Sequence, residues 1–285
     1  MTLKKTLRGL VKAAARKVPV AATRIDYARF SLTRRSQADA MLDEKWQDLC
    51  STVAEHGYAV VPDYVSREEC ERMIDDFERM VFEHPQHVHR ASDTRVFGAE
   101  EYSEDISRFH FSAQLQEFSN YYSKIPTVNA LTMANKVVTR SNSKGSGEGW
   151  HKDSSFRQFK AFLYLNDVDE KCGPFELISQ SHRIEDYVGD IRLAGMNFRE
   201  LRITDAQIEK LLASDPSRLR TLTGRAGTLI LADTASIHRG RPPQGGTRYA
   251  LTNYYLELGQ IHEEFIAAFN PVNPDRVRAL GASTT

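Results

Sequence analysis

Residues 159–179 read FKAFLYLNDVDEKCGPFELIS. Two apolar runs, Phe159–Leu165 and Phe175–Ser179, flank an acidic turn that ends in Gly-Pro, and short apolar runs bounded by turns are typical of buried β-strands. Three further runs of this kind follow: Leu219–Leu222, Gly227–Ala232 and Tyr249–Leu258. They indicate antiparallel sheets packed face to face. The sequence therefore predicts a mainly β protein with flanking helices, either a β-sandwich or a double-stranded β-helix.

The N-terminal third is predicted to be largely helical. Apolar residues on one face favour helices over residues 37–56 and 113–125, and capping-box spacing at Ser66 and Thr204 opens two more. Two strands are also expected there: Tyr58–Pro62 and residues 129–141. Residues 84–111 are expected to be loop with short strands. No linker interrupts this order, so residues 36–285 are predicted to form a single domain.

The composition excludes several classes of protein. Hydrophobic residues make up 41% of the 285 residues, which is enough for a sizeable core. No stretch approaches the ~18 consecutive apolar residues of a membrane span. Lys and Arg total 38, as do Asp and Glu, so nucleic acid is not an expected partner. Three scattered cysteines, Cys50, Cys70 and Cys172, favour a reducing cytoplasm over a disulfide scaffold.

The neutral total conceals a basic N-terminal segment. Residues 1–35 contain ten Lys or Arg and one acid, Asp26. One apolar stripe runs along an otherwise basic helix: Leu3, Leu7, Leu10, Ala14 and Val18. Two interpretations stay open. The segment is either a terminal helix that is solvated or packed on a partner, or it associates peripherally with an anionic membrane through residues 1–20, at the inner face of the membrane.

The chemically distinctive residues begin at Trp150-His-Lys-Asp153. In an extended backbone, side chains two residues apart point to the same face, so His151 and Asp153 can reach one point. His238 follows just past the apolar run Gly227–Ala232. Two histidines and one carboxylate are the ligand set of non-haem Fe(II) oxygenases, and they leave metal positions open. The sequence therefore predicts Fe(II) bound by these three side chains, as the catalytic centre.

Arg248 comes ten residues after His238, at the start of a predicted strand. A planar guanidinium at the start of such a strand suits a carboxylate that accepts two hydrogen bonds. If 2-oxoglutarate chelates the iron through its 2-oxo acid end, its far carboxylate needs such an anchor. We therefore expect Arg248 to bind 2-oxoglutarate.

The stretch from Trp150 to about Tyr255 resembles the phytanoyl-CoA dioxygenase (PhyH) family of Fe(II)/2-oxoglutarate-dependent oxygenases. The segment KAFLYLNDVDEKCGPFELISQSHR, residues 160–183, is similar to the family's strand, acidic turn, Gly-Pro and Ser-His sequence. The family pattern H-x-D…H…R matches four residues: His151, Asp153, His238 and Arg248. The resemblance covers roughly residues 55–258, more loosely before residue 130.

This resemblance implies a double-stranded β-helix of the jelly-roll, cupin-like kind, with iron at one end of the barrel and O2 as a further co-substrate. It places an aromatic residue, here Tyr164, beside 2-oxoglutarate, although core packing is an equally good role for that ring. Many members carry Ser two residues after the second histidine, where this chain has Gly240. We therefore expect a nearby Thr or Tyr to supply the hydroxyl, or a looser hold on the co-substrate. Halogenation is disfavoured, because halogenases of this kind replace the carboxylate that Asp153 provides.

Other candidate residues have plainer interpretations. The run HPQHVH, residues 84–89, is a rival metal set, but no carboxylate stands at ligand spacing and Pro85 interrupts regular structure. Lys160 is expected to be solvated, and Ser181-His182-Arg183 to end a strand. Five arginines are expected to rim the iron pocket, either as solvated surface or as a group that receives a phosphorylated or carboxylated substrate: Arg90, Arg95, Arg108, Arg140 and Arg157.

The sequence thus predicts a hydroxylase that acts on a C–H bond of a small or lipid- or sugar-linked anionic substrate. The hydroxylase of 3-deoxy-D-manno-octulosonic acid (Kdo) in lipopolysaccharide is one analogy within the family. Desaturation and epimerisation are related outcomes. A β-barrel module that binds a sugar or a metal without turnover is the alternative outside the enzyme class. A hydrolase is disfavoured, since there is no Gly-x-Ser-x-Gly elbow and Ser236 has no supporting motif.

Overall fold

The computed structural model describes residues 42–140 and 143–282. The predicted basic segment, residues 1–35, lies outside the described residues, as do the first residues of the helix predicted over 37–56. The extent of the domain predicted for residues 36–285 stays a prediction. Among the described helices, none is long and apolar enough to cross a membrane.

Strands and helices alternate irregularly along the described chain. The strands are β1 Tyr58–Val61, β2 Val88–Arg90, β3 Thr94–Phe97, β4 Val128–Val138, β5 Phe159–Tyr164, β6 Phe175–Ile178, β7 Leu219–Leu222, β8 Leu229–Asp233, β9 His238–Gly240 and β10 Thr247–Leu256. The helices are α1 Glu44–His56, α2 Arg67–Glu83, α3 Glu104–His110, α4 Ala113–Ser123, α5 Ile184–Ala194, α6 Asp205–Ser214, α7 Glu263–Phe269 and α8 Pro274–Ala282.

The strands form two antiparallel sheets. The larger has seven strands in the order β1-β8-β5-β10-β4-β3-β2, and the smaller has three in the order β7-β6-β9. Buried side chains from both sheets form one cluster, which includes Leu177 on β6, Leu222 on β7, Ile230 on β8 and Ala250 on β10. The two sheets therefore face each other, and the predicted double-stranded β-helix with flanking helices is confirmed.

The pairing of β5 with β10 determines which side chains face the space between the sheets. Tyr164 lies opposite Ala250, Phe162 opposite Thr252, and Lys160 opposite Tyr254. Because side chains alternate along a strand, all three pairs lie on the same face. Arg248 is two residues before Ala250, so it lies on that face as well.

The predicted helix signals are present in the structure. Asp43 caps α1, and Gly57 follows that helix with a positive φ of 89°. Ser66 and Glu69 form a complete capping box at α2, and Thr204 and Gln207 form one at α6. The apolar faces of α1 and α2 pack in the same core cluster as β5, β8 and β10.

Four of the described helices were not predicted: α3, α5, α7 and α8. α3 lies in the segment expected to be loop with short strands, although strands β2 and β3 are there as expected. It has only seven residues, two of them buried and apolar (Ile106 and Phe109), which is too short for a helical period to show in the sequence. The tail after Asn270 contains α8, whose sequence begins Pro-Asp-Arg and has one buried residue, Val277.

Candidate active site

Backbone pairing brings the predicted metal ligands together. His151 and His238 exchange two backbone hydrogen bonds of 2.8 Å, in an isolated bridge rather than a strand. Their rings therefore lie side by side, with centroids 4.3 Å apart. The Asp153 N–H donates to Thr234 O at 3.0 Å, which turns that carboxylate toward the same point. One donor atom from each of the three residues lies within 4.8 Å of the others.

Both histidines present the same nitrogen to this point. His151 Nδ1 lies 2.8 Å from Gly149 O, and His238 Nδ1 lies 2.9 Å from Ser236 O. Since a carbonyl oxygen only accepts, each Nδ1 carries the proton and each Nε2 keeps its lone pair. These Nε2 atoms lie 3.8 and 3.6 Å from the carboxylate oxygens of Asp153. Burial lowers the pKa of His238 to about 3, so the ring is neutral, as a metal ligand requires.

The donor set suits Fe(II). Two imidazole nitrogens and one carboxylate oxygen form a facial triad with open positions. Among the described residues, this is the one group of three or more His, Cys, Asp or Glu side chains placed to hold a metal. The rival run at residues 84–89 does not assemble, and the His84 ring instead stacks on Tyr102 at 4.3 Å.

Lys160 is buried beside the triad, so the interpretation that it is solvated was wrong. Its Nζ lies 2.9 Å from Asp153 Oδ2 and 3.8 Å from the centroid of the Tyr254 ring. Burial alone would raise the pKa of Asp153, but the positive charge of Lys160 is the largest opposing cause, and this pKa lies well below its usual range. No motif marked Lys160, because its partner comes from the turn before β5 and its ring contact comes from β10.

Arg248 is a buried cation that faces the same cavity. Its side chain donates from Nη1 to Gly173 O, and its Nε is buried without a hydrogen-bond partner among the described residues. Burial lowers its pKa. A buried guanidinium with an unused N–H fits an anionic ligand, because a carboxylate would supply both the charge and the acceptor. Arg241, seven residues before Arg248, instead lies 3.7 Å from Glu176.

Tyr164 lines the cavity next to Arg248 and is also part of the core. Its hydroxyl donates to Leu222 O at 2.8 Å and accepts from the Phe175 N–H at 2.9 Å. The ring is 1% exposed. These bonds tie β5 to both strands β6 and β7, so the two roles considered for Tyr164 are compatible.

Ser146 occupies the space that a side chain at position 240 would need. A Cβ at Gly240 would lie 2.7 Å from Ser146 Cβ and 3.1 Å from Arg248 Nη2. Ser146 lines the cavity, and its hydroxyl donates to Asp93 Oδ2 at 2.8 Å. Ser146, in the glycine-rich loop of residues 143–149, therefore lies next to Gly240. That a Thr or Tyr supplies the hydroxyl, or that the co-substrate is held more loosely, stays a prediction.

The glycine-rich loop also packs against the metal ligands. Gly147 has a φ of +85°, and a Cβ there would lie 2.2 Å from His151 Cε1, so no side chain fits. Arg202 Nη1 donates to Gly147 O. The backbone of Arg202 forms a bridge with His151. One arginine thus contacts both the loop and the segment that carries the first ligand.

The cavity has a volume of about 250 Å³. Its charged lining consists of the metal-site carboxylate and four cations: Asp153, Arg95, Lys160, Arg202 and Arg248. Five aromatic residues also line it: Phe162, Tyr164, Phe175, Tyr254 and Phe269. Phe175 stacks on His238, with ring centroids 5.3 Å apart.

Of the five arginines considered for the rim, Arg95 alone lines this cavity. Arg90 is exposed at the end of β2, Arg108 pairs with Asp105, and Arg140 and Arg157 donate to backbone carbonyls. Arg202 was missed, and no sequence signal could have found it, since it lies in an irregular segment. His182 lies away from the cavity lining, where its Nε2 donates to Ala54 O at 3.0 Å.

A family model and several solved structures are similar to this chain. The family model described as Phytanoyl-CoA dioxygenase (PhyH) matches residues 53–248. A search of curated proteins gives no match.

Solved structures share the fold at low sequence identity. EctD from S. alaskensis, with 2-oxoglutarate and 5-hydroxyectoine, has a TM-score of 0.60 and 16% identity, over 80% of this chain and 82% of that one. The epimerase SnoN, in complex with Fe3+, alpha ketoglutarate and nogalamycin RO, has a TM-score of 0.56 and 15% identity, over 75% and 84%. HygX from Streptomyces hygroscopicus, with nickel and 2-oxoglutarate bound, has a TM-score of 0.53 and 15% identity, over 76% and 87%.

Proposed function

Since the chain belongs to the phytanoyl-CoA dioxygenase (PhyH) family and is therefore an Fe(II)/2-oxoglutarate-dependent oxygenase, we propose that it hydroxylates a C–H bond of a small anionic substrate, free or linked to a lipid or sugar. The observation that carries the proposal is the His151–Asp153–His238 donor set, within 4.8 Å, beside Arg248 with its unused Nε–H.

Each residue has a defined part in this proposal. The two histidines would hold the iron through Nε2 and Asp153 would hold it through its carboxylate, beside which Lys160 Nζ lies 2.9 Å from Oδ2. Arg248 binds the far carboxylate of 2-oxoglutarate, and Tyr164 closes the wall beside it. When bound, iron and 2-oxoglutarate supply the oxidising chemistry. The remaining work of the chain is to orient the substrate and to exclude water, for which the aromatic lining is suited.

The charge and size of the cavity support an anionic substrate whose reacting part is small. Four cations line the cavity against one carboxylate. Its volume of about 250 Å³ lies below the ~300–1,000 Å³ common for drug-sized ligands. A Kdo-like sugar acid is one substrate of this kind. Epimerisation and desaturation stay possible outcomes, and SnoN, an epimerase, has this fold. The alternative of a module without turnover is not favoured, because the family is one of oxygenases.

The direct test is to add Fe(II) and 2-oxoglutarate to the protein without O2 and to look for the weak visible charge-transfer band of the chelate. Admission of O2 should then produce succinate, slowly without substrate. Product analysis with candidate anions distinguishes hydroxylation from desaturation and epimerisation. If the wild-type protein shows neither the band nor succinate, the proposed function is wrong.

Arg248→Lys is expected to raise the 2-oxoglutarate concentration needed for half-maximal band intensity. Lysine keeps the charge but loses the planar fork, which corresponds to about 1–3 kcal/mol of charged hydrogen bonding. The matched control is Arg241→Lys, because Arg241 already lies near Glu176 and should leave the requirement unchanged. The anchor is assigned wrongly if the control shifts the requirement and Arg248→Lys does not.

We also propose that the protein acts in the cytoplasm, at an anionic membrane surface to which residues 1–20 attach it. The support is the charge of residues 1–35, with ten Lys or Arg and one acid, since each cation near such a surface contributes about 1 kcal/mol. The full chain should co-sediment with anionic vesicles at low salt, and less so as salt rises. A chain without residues 1–20 should stay in solution yet form succinate. Equal sedimentation of both chains would contradict the proposal.

A further inference from the structure

The cations of the cavity differ in how they are neutralised. Arg95 donates to the buried carboxylate of Asp93 at 2.5 Å, and that pair is internally balanced. Arg248 is assigned above to 2-oxoglutarate. Lys160 and Arg202 remain, and both line the cavity beside the metal site.

Arg202 has no carboxylate partner among the ion pairs of the described residues. Its side chain is exposed at the edge of the cavity. Among the described residues, its one side-chain hydrogen bond is the one that it donates to Gly147 O. A guanidinium has five N–H donors. Since the loop carbonyl takes one, most of the fork is available to a ligand that enters past His151.

Lys160 lies deeper in the same cavity, where it is 5% exposed. One of its three N–H donors points at Asp153 Oδ2, and its aliphatic stem lies along the cavity opposite Tyr254. When a metal binds Asp153, the negative charge of that carboxylate is shared with the metal. The ammonium then carries positive charge that no other carboxylate among the ion pairs of the described residues balances. Buried positive charge of this kind favours an anion.

The wall next to these cations is apolar. Met133, Tyr254 and the partly exposed Phe269 line the cavity, and these three residues belong to one hydrophobic cluster. The largely apolar surface of this wall suits the apolar or flat body of a ligand. Together, the cations and the wall match a molecule with an anionic head and a compact, weakly polar body.

We propose that Lys160 and Arg202 form a second anion-binding subsite, separate from Arg248, which takes a carboxylate or phosphate of the substrate while its body lies against Met133, Tyr254 and Phe269. This inference rests on the proposed function, because the subsite orients a substrate for the iron. Bidentate recognition by Arg202 gives the head group a fixed direction. Lys160 holds it close to the metal, so the carbon to be oxidised lies a few bonds from the anion.

The test uses the full chain loaded with Ni(II) and 2-oxoglutarate, which binds ligands without turnover. Calorimetry measures the affinity for phenylacetate, for phenyl phosphate and for the neutral phenylacetamide. We expect at least one of the two anions to bind about tenfold or more tightly than the amide. Arg202→Gln, measured with the protein saturated with Ni(II) and 2-oxoglutarate, should remove that difference. The matched control is Arg220→Gln, since Arg220 is exposed on β7 and does not line the cavity.

The outcomes separate the possibilities. Preference for phenyl phosphate identifies a phosphate head, and preference for phenylacetate a carboxylate. Equal binding of anion and amide, or no binding of either anion, overturns the subsite. So does an anion that competes with 2-oxoglutarate, because it would then occupy the Arg248 pocket. If the wild-type protein fails to bind 2-oxoglutarate at all, the proposed function has failed as well, which is a different result.

Discussion

Asp153→Ala is expected to remove Fe(II) binding and with it the visible 2-oxoglutarate band and the formation of succinate. Two imidazoles without the carboxylate lack both the third ligand and its charge. The substitution should also destabilise the protein. It leaves the Lys160 ammonium, whose side chain is 7% exposed, without the partner 2.9 Å away. Loss of one member of a buried pair costs about 3–5 kcal/mol.

The two effects can be separated by a pair of variants. Asp153→Asn keeps the shape and an acceptor for Lys160, so stability should largely return while metal binding stays weak. In the double variant Asp153→Ala/Lys160→Met, the unpaired charge is gone and the free energy of unfolding should exceed that of Asp153→Ala alone. Denaturant unfolding of the metal-free protein and metal titration are the measurements. Full succinate formation by Asp153→Ala would refute the triad.

Arg276→Met is expected to lower the free energy of unfolding by about 3 kcal/mol at pH 8. Arg276 on α8 reaches the buried carboxylate of Glu100 and lies 2.5 Å from Glu101. Glu100 also accepts the backbone N–H of Thr132 on β4, at 2.9 Å. Without the guanidinium, Glu100 must either stay ionised in a buried place or take up a proton. This contact holds the C-terminal helices, including the end of α7 that carries Phe269, against the barrel.

The decrease in the free energy of unfolding caused by Arg276→Met should depend on pH in a definite direction. Burial raises the pKa of Glu100 to about 7, against the attraction of Arg276. The folded protein therefore keeps a proton there that the unfolded chain releases near its ordinary, lower pKa, and this group contributes less stability as pH rises toward 7 and above. Removal of Arg276 raises the pKa of Glu100 further. The substitution should therefore lower the free energy of unfolding less at pH 5.5 than at pH 8.

The matched control for this experiment is Arg278→Met. Arg278 makes comparable ion pairs with Glu263 and Asp275, but all three side chains are about half or more exposed. Surface pairs contribute about 0–1 kcal/mol, so the control should change little at either pH. Equal losses in the two variants, or a larger loss for Arg276→Met at low pH, would contradict the buried-pair explanation.

The metal centre could be predicted from sequence because its determinants are local. His151 and Asp153 are two residues apart, and this spacing by itself puts both side chains on one side of an extended chain. His238 follows an apolar strand, and Arg248 begins another, so their positions along strands were readable from the turns around them. The capping boxes at Ser66 and Thr204 were predictable for the same reason, since each involves residues three apart.

Lys160, Arg202 and Ser146 acquired their roles only in the tertiary structure. Lys160 is a strand residue whose charge looked solvated until β10 placed Tyr254 opposite and the turn before β5 supplied Asp153. Arg202 reaches Gly147 across 55 residues, and Ser146 fills the space above Gly240.

The sequence by itself therefore predicted the candidate metal ligands and the proposed anchor for the co-substrate, since these depend on spacing within short segments, and its resemblance to a family predicted the jelly-roll class. The tertiary structure decided which charges are buried, which are neutralised and what fills the space beside each glycine. These properties depend on contacts between segments that are distant in the chain. Their energies come from desolvation, which depends on the surroundings of a side chain and not on its residue type alone.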